Sequence, residues 1–429
     1  MERKAGAYPL LSIVIPTRNR TRYAISAIQS ILGIVDSRLE LVVQDNSDVR
    51  ELEVYVRDHI TDCRFRYRYT PPPLSLIDNV NAAVDLATGE YVCLIGDDDG
   101  VNPEILAAAS WAKLEGIDCI AAKQTASYLW QGTGIRSTLF TRVRGGSLSV
   151  SGFDGYIKCG IPERELRELV RSGGAYYLAC DLPKLYHGLV HRRCLSAVRD
   201  KTGAYLGGLS PDIFASVALA CVASRVIVTD YPLTIPGACG ASGSVLEGAI
   251  RRHSKHLEDA PHLRDRGEYP WCELVPRVYT AETIWADSAI AALRAMGRED
   301  LVRQLCVWKL SALCIGANRG VMWPVLRTVF ARMRPMGCKS VVGFARFAWS
   351  LITCPGARLG RRAWNRFLLS IRLRRIHRIS GLTNMVDASA ALTGYLAERG
   401  HTFEEYASSR TCTEGRSHTG SAFCRIARF

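Results

Sequence analysis

Apolar residues in the first hundred positions fall in short runs separated by polar turns. Leu10 to Ile15 is apolar except for Ser12 and is closed by Pro16, and Leu39 to Gln44 reads Leu-Glu-Leu-Val-Val-Gln. Both have the length and the β-branched content of buried strands. Between them Ile25, Ile28, Ile31 and Leu32 recur at helical spacing, with Thr21 placed to cap the helix. The order continues with a helix near Glu51 to Asp58, a strand at Phe65 to Tyr69, a Pro71-Pro72-Pro73 break, a helix from Ile77 to Ala87 that stops at Gly89, and a strand from Tyr91. Strands alternating with helices at this spacing predict an α/β fold with a mostly parallel sheet. In open sheets of this kind ligands bind beyond the carboxyl ends of the strands. The polar residues collect there: Thr17 and Arg18, Asp45 and Asn46, and Asp97 to Asp99.

Further along, the pattern predicts a helix after Pro103, a strand near Asp118 to Ala122, a glycine- and serine-rich loop from Gly145 to Gly155, and a helix from Pro211 to about Ala223. A second such loop, Gly237 to Gly243, precedes helix-favouring sequence. Thr280 to Ala331 and Trp364 to Ile379 read as basic helices. The chain has no internal repeat.

With 429 residues, 48% of them apolar, the chain can bury a large core and is expected to form two or three domains. Its 15 cysteines are scattered, without a Cys-x-x-Cys pair, and are read as reduced, buried small residues of a cytosolic protein. The N-terminal decapeptide lacks an apolar stretch followed by a cleavage site, so no secretory signal is expected. No run of about 18 uncharged apolar residues suggests a membrane span; the nearest, Val341 to Cys354, carries Arg346. The net charge of +14 is unevenly placed: residues 1–120 hold 12 Lys+Arg and 18 Asp+Glu, whereas residues 301–386 hold 16 Lys+Arg and no acid. Such a basic block points to anionic lipid head groups, nucleic acid or an acidic substrate.

The strand from Tyr91 ends in three successive carboxylates, Asp97, Asp98 and Asp99. Like charges crowded at a strand end repel unless a cation lies between them, and a divalent metal (Mn or Mg) holding a diphosphate meets that need with carboxylate oxygens. This predicts an enzyme acting on a nucleotide-linked substrate.

Four segments in order, Ser12-Ile13-Val14-Ile15-Pro16-Thr17-Arg18-Asn19-Arg20, Leu41-Val42-Val43-Gln44-Asp45-Asn46-Ser47, Asn81 eight residues before Gly89-Glu90-Tyr91, and Gly96-Asp97-Asp98-Asp99-Gly100, resemble the family 2 glycosyltransferases of the GT-A fold. The likeness extends through Leu185 to Val190 and Leu209-Ser210-Pro211-Asp212-Ile213 and leaves the last 130 or so residues uncovered. It implies a Rossmann-like mixed sheet and an inverting transfer of a sugar from a nucleotide diphosphate donor to an acceptor hydroxyl. Under it, residues 1–240 form the catalytic domain, 241–300 a flexible segment with helices closing the site, and 301–429 a basic, mostly helical region. Asp98 and Asp99 become metal ligands with His253 as a late addition, the register among the three acids staying open. Pro16, Thr17, Arg18, Asp45, Asn81 and Asp97 become contacts to the donor. Asp212 becomes the base that takes the acceptor's proton.

Each residue also has a plainer explanation. Asp45 suits an Asx turn, Asp212 in Ser210-Pro211-Asp212 suits a helix start, and Arg18 suits a surface. His253 and His256 suit a solvated helix, and His187 with His191 a packed pair rather than a zinc site. A sugar nucleotidyltransferase is a competing class, although its glycine-rich phosphate loop is missing from Pro16 to Arg20. A non-catalytic module gripping nucleic acid or membrane is another. Against nucleic acid, the arginines interleave with Phe344, Phe347, Trp349, Leu351, Trp364, Phe367 and Leu368, as on a surface lying on lipid. The expected setting is therefore cytoplasmic, peripheral on the inner face of an anionic membrane, with a glycan or lipid-linked acceptor.

Overall fold

The computed structural model describes residues 8–133, 145–240, 257–259, 261–333, 342–343, 345–353 and 376–408. His253, His256 and residues 364–375 lie outside them. An eight-stranded sheet runs in the order β3-β2-β1-β4-β10-β6-β11-β9. The strands are β1 (Leu11–Thr17), β2 (Leu39–Asp45), β3 (Phe65–Tyr69), β4 (Tyr91–Leu94), β6 (Cys119–Ala122), β9 (Ile157–Gly160), β10 (Gly188–His191) and β11 (Val226–Thr229). The first four pair in parallel; β10 runs antiparallel to both β4 and β6. This is the mixed α/β layering expected of the GT-A class.

Alternation along β1 sends Val14 to one face and Ile13 and Ile15 to the other, and each face carries its own core. One face is covered by α1 (Thr21–Leu32) and α4 (Ile105–Leu114). The other is covered by α3 (Leu76–Leu86), α5 (Pro162–Arg171), α6 (Arg192–Thr202) and α7 (Pro211–Ala220). The helices begin where polar chemistry allows: Ser75 caps α3 by accepting from the Asp78 N–H, and Pro211 opens α7.

Four expectations need correcting. The glycine- and serine-rich stretch is not a loop throughout. Ser147–Ser151 forms β8 of a second sheet, β13-β7-β8-β14, with β7 (Ala126–Leu129), β13 (Gly237–Ala238) and β14 (Ile376–Ser380). Leu148 and Val150 point into the core, and the intervening serines hide that alternation. Ile376–Ser380 is therefore strand, not helix, because β8 offers it a free edge from Ser147 to Ser151. The division at 240 and 300 does not follow the packing either. The helix Met385–Ala397 buries Met385, Ala388, Leu392 and Leu396 in the same core as β1 and α1. The helix Ala281–Ala295 buries Ala286, Ala289, Ile290 and Leu293 against the core that includes α7. Among the described residues ten cysteines stand outside disulfides, while Cys159 is disulfide-bonded, unlike the reduced state expected for all fifteen.

Candidate active site

The three aspartates after β4 are all buried, with Asp97 2%, Asp98 4% and Asp99 1% exposed. They have different partners. Thr17 donates from Oγ1 to Asp97 Oδ2 at 2.6 Å, linking the ends of β1 and β4. Asp99 Oδ2 accepts from the Gly96 N–H at 2.6 Å and from the Tyr186 hydroxyl at 2.7 Å, and lies 3.2 Å from His187 Nε2. Its Oδ1 accepts from the Gly237 N–H at 2.6 Å. Burial works to raise Asp99, but His187, with the Gly237 N–H and the Tyr186 hydroxyl, outweighs it and holds the carboxyl below its ordinary range.

The cation within this carboxylate group is Arg20, a residue not singled out from sequence. Its guanidinium lies 2.7 Å from Asp97 Oδ1 and 2.9 Å from Asp98 Oδ2. The protein itself thus places a positive partner among the crowded carboxylates. Burial pushes Asp97 up to about 7, with Arg20 opposing and Asp98 adding to the rise.

A short pair of strands forms the other wall of the site. β12 (Thr234–Ile235) pairs antiparallel with β5 (Gly100–Val101). Thr234 Oγ1 lies 3.0 Å from His187 Nδ1, and Cys239 Sγ accepts from Arg20 Nη2 at 2.8 Å. At Gly237 a side chain would begin 2.7 Å from the Asp98 carbonyl carbon and 3.0 Å from Trp130 Nε1, so only glycine lets this backbone lie on the acids. His187 has φ of 61°, a left-handed backbone uncommon outside glycine, and this turns its ring under Asp99.

The other expected residues divide. Pro16 lies in β1 opposite Gln44. Asp45 is fully buried: Oδ1 accepts from the Ser47 N–H at 2.8 Å, an Asx turn, and Oδ2 from the Tyr67 hydroxyl at 2.8 Å. Arg18 turns away from the acids to Asp265 at 2.7 Å and Asp48 at 3.4 Å. Asn81 is also turned to the protein. Its Nδ2 donates to the carbonyls of Ile77 and Leu206, and its Oδ1 accepts from the N–H groups of Tyr205 and Leu206, which pins the loop leading to α7. Ser288 Oγ holds that loop from the other side through the N–H groups of Leu209 and Ser210. Asp212 follows in the first turn of α7, and burial pushes it up to about 6, with Asp99 adding to the rise and His187 and Lys184 opposing it.

The donor set suits a hard cation whose remaining ligands come from water and phosphate. Asp97 and Asp98 offer oxygens on one side, and Asp97 Oδ1, although buried, has no hydrogen bond of good geometry. Both oxygens of Asp99 already accept from protein donors. Among the described residues no three His, Cys, Asp or Glu side chains form a ready-made metal cluster.

The acids thus lie at the rim of a parallel layer, beside a threonine from the first strand, with a further acid, Asp212, in the first turn of α7. Residues 12–129 match the sequence profile of Glycosyl transferase family 2. An uncharacterized protein of Sinorhizobium fredii is 34% identical over 120 residues, which is 27% of this chain and 13% of that relative. The putative colanic acid biosynthesis glycosyl transferase WcaA of Escherichia coli K12 is 36% identical over 100 residues, 23% of this chain and 36% of the relative. The chain thus spans well under half the length of these curated relatives. Among solved structures, S. aureus TarS 1–349 in complex with UDP-GlcNAc aligns at 15% identity and a TM-score of 0.39 over 76% of this chain and 92% of that one. The mannosyltransferase PcManGT from Pyrobaculum calidifontis, in complex with GDP-Man and Mn2+, aligns at 13% identity and a TM-score of 0.38 over 86% of this chain and 87% of that one.

Proposed function

We propose that this chain is an inverting glycosyltransferase that moves a sugar from a nucleotide diphosphate donor to an acceptor hydroxyl in polysaccharide or glycolipid synthesis. The observation that carries this reading is the buried carboxylate group after β4, inside the segment that matches glycosyl transferase family 2. Asp97 and Asp98 would hold a divalent cation, Mn or Mg, which when bound supplies charge stabilisation to the leaving diphosphate. Thr17 holds Asp97 in place, and His187, Tyr186 and Gly237 hold Asp99 as a fixed negative wall.

Asp212 takes the acceptor's proton at a carboxylate oxygen. Raised to about 6, it is ionised at neutral pH yet more basic than a solvated carboxylate, which suits a general base. Asn81 and Ser288 hold the loop before it from two sides, so the base is positioned before any acceptor arrives.

The acceptor would be a glycan or lipid-linked sugar presented at an anionic membrane surface. The exposed Trp323, Phe330, Trp349 and Ile352 within the basic block support this. No helix among the described residues is long and apolar enough to cross a membrane.

The test is a panel of nucleotide diphosphate sugars measured for Mn2+-dependent protection against thermal unfolding, since a donor that binds only the folded state raises its stability by mass action. One donor should raise the melting temperature, Asp98→Asn should abolish the rise, and Asp212→Asn should keep the rise while losing transfer. A panel with no Mn2+-dependent shift refutes the donor reading, and turnover by Asp212→Asn removes the base.

A further inference from the structure

Arg20 occupies the place that a metal–diphosphate pair would need. Its guanidinium reaches Asp97 Oδ1, Asp98 Oδ2 and Cys239 Sγ within 2.7 to 2.9 Å, and its side chain is 20% exposed where those of the acids are 3% and 6%. The fit compensates charge without matching geometry. Asp97 Oδ1 and Arg20 Nε are both buried without a well-formed hydrogen bond, so this is not the two-pronged fork that arginine and carboxylate make when the pair is a fixed structural element. Arg20 also stands immediately before α1 and makes no side-chain cap to it. Its long side chain can therefore move without unwinding the helix.

We propose that Arg20 is an exchangeable counter-cation. It neutralises Asp97 and Asp98 in the free protein, is displaced when a divalent cation takes those oxygens, and then pairs with the phosphate oxygens of the donor. The inference rests on the metal and donor reading above and adds the residue that competes for the site. A divalent ion taking those oxygens would compete with the guanidinium for the same negative charge and repel it at close range. Once released, the guanidinium sits beside a diphosphate, the anion that its planar donors suit best.

The competition predicts effects of opposite sign for two probes. Binding of Mn2+ alone, followed by electron paramagnetic resonance, should tighten by about tenfold in Arg20→Gln because a competing charge has gone. Binding of UDP or GDP at saturating Mn2+, followed by calorimetry, should weaken by about tenfold in the same variant because a phosphate partner has gone. Arg20→Lys, which keeps the charge and cannot reach both acids at once, guards against loss of folding and should lie between wild type and Arg20→Gln for Mn2+. A thermal melt without ligand checks that each variant is folded. Mn2+ affinity that is unchanged or weaker in Arg20→Gln overturns the exchange, as do both probes changing in the same direction. Undiminished Mn2+ binding in Asp98→Asn, or none in any form, overturns the metal reading beneath it.

Discussion

Gly237→Ala offers a direct measure of how closely β13 lies on the carboxylates. The new methyl would start 2.7 Å from the carbonyl carbon of Asp98, closer still to its oxygen, and 3.0 Å from Trp130 Nε1. Carbon atoms pack best at about 3.5–4.0 Å, so the strand must retreat by roughly 1 Å. That retreat stretches the 2.6 Å bond from the Gly237 N–H to Asp99 and disturbs the 2.9 Å bond from Trp130 Nε1 to the Asp98 carbonyl. Overpacking costs about 1–3 kcal/mol, and leaving a buried acceptor unpaired costs a further ~1–3 kcal/mol. The expected loss is therefore about 2–6 kcal/mol, read from equilibrium urea denaturation with an unchanged slope. Gly240→Ala is the control. Its methyl would start 3.3 Å from the Gly132 carbonyl oxygen with nothing else nearer than 3.7 Å, and it should stay within about 1 kcal/mol of wild type. A Gly237→Ala protein as stable as the control would refute the close approach, and with it the role of this strand in fixing Asp99.

Two other outcomes follow from the same structure. Met385 is fully buried over Gly100, and its N–H donates to Ser26 Oγ, so Met385→Ala should cost about 2–5 kcal/mol by chemical denaturation, whereas a cost near zero would mean the late helix is not part of the core. Asp212 has a folded value of about 6 against an ordinary 3.8, so between those values the folded chain binds more protons than the unfolded one and stability falls as pH rises; Asp212→Asn should flatten that slope, and transfer should increase with pH through about 6.

Much of the first hundred residues was legible in the sequence, because β1, β2, β4 and the helices between them form from local periodicity. Helix α3, expected from Ile77 to Ala87, spans Leu76–Leu86, and the strand expected at Phe65 to Tyr69 is β3. What failed depends on distant pairing. β8 is written in serines around Leu148 and Val150, and its partners lie at Ala126–Leu129 and Ile376–Ser380. Ile376 and Ile379 are three apart, which mimics a helical face when the facing strand is not known. In the site, the acids were legible as a charge problem whose solution was not. Arg20 stood within the quoted Pro16 to Arg20 segment, yet nothing local says that it, rather than Arg18, turns inward. His187 reads from sequence as half of a packed pair with His191; only the fold brings it under Asp99. Tyr186 before His187, two polar residues in an otherwise apolar run from Leu185 to Val190, was the one available hint.

The pairing of Ile376–Ser380 with Ser147–Ser151, and the seating of Met385 beneath Gly100, also order events in time. A ribosome delivers the family segment long before it delivers the strand and helix that complete its sheet and core. Until then the Ser147–Ser151 edge and the pocket for Met385 stand open, so the nascent chain carries an unpaired β-edge for hundreds of codons. A fragment ending after residue 300 would inherit that exposed edge permanently, and self-association is the outcome its surface favours.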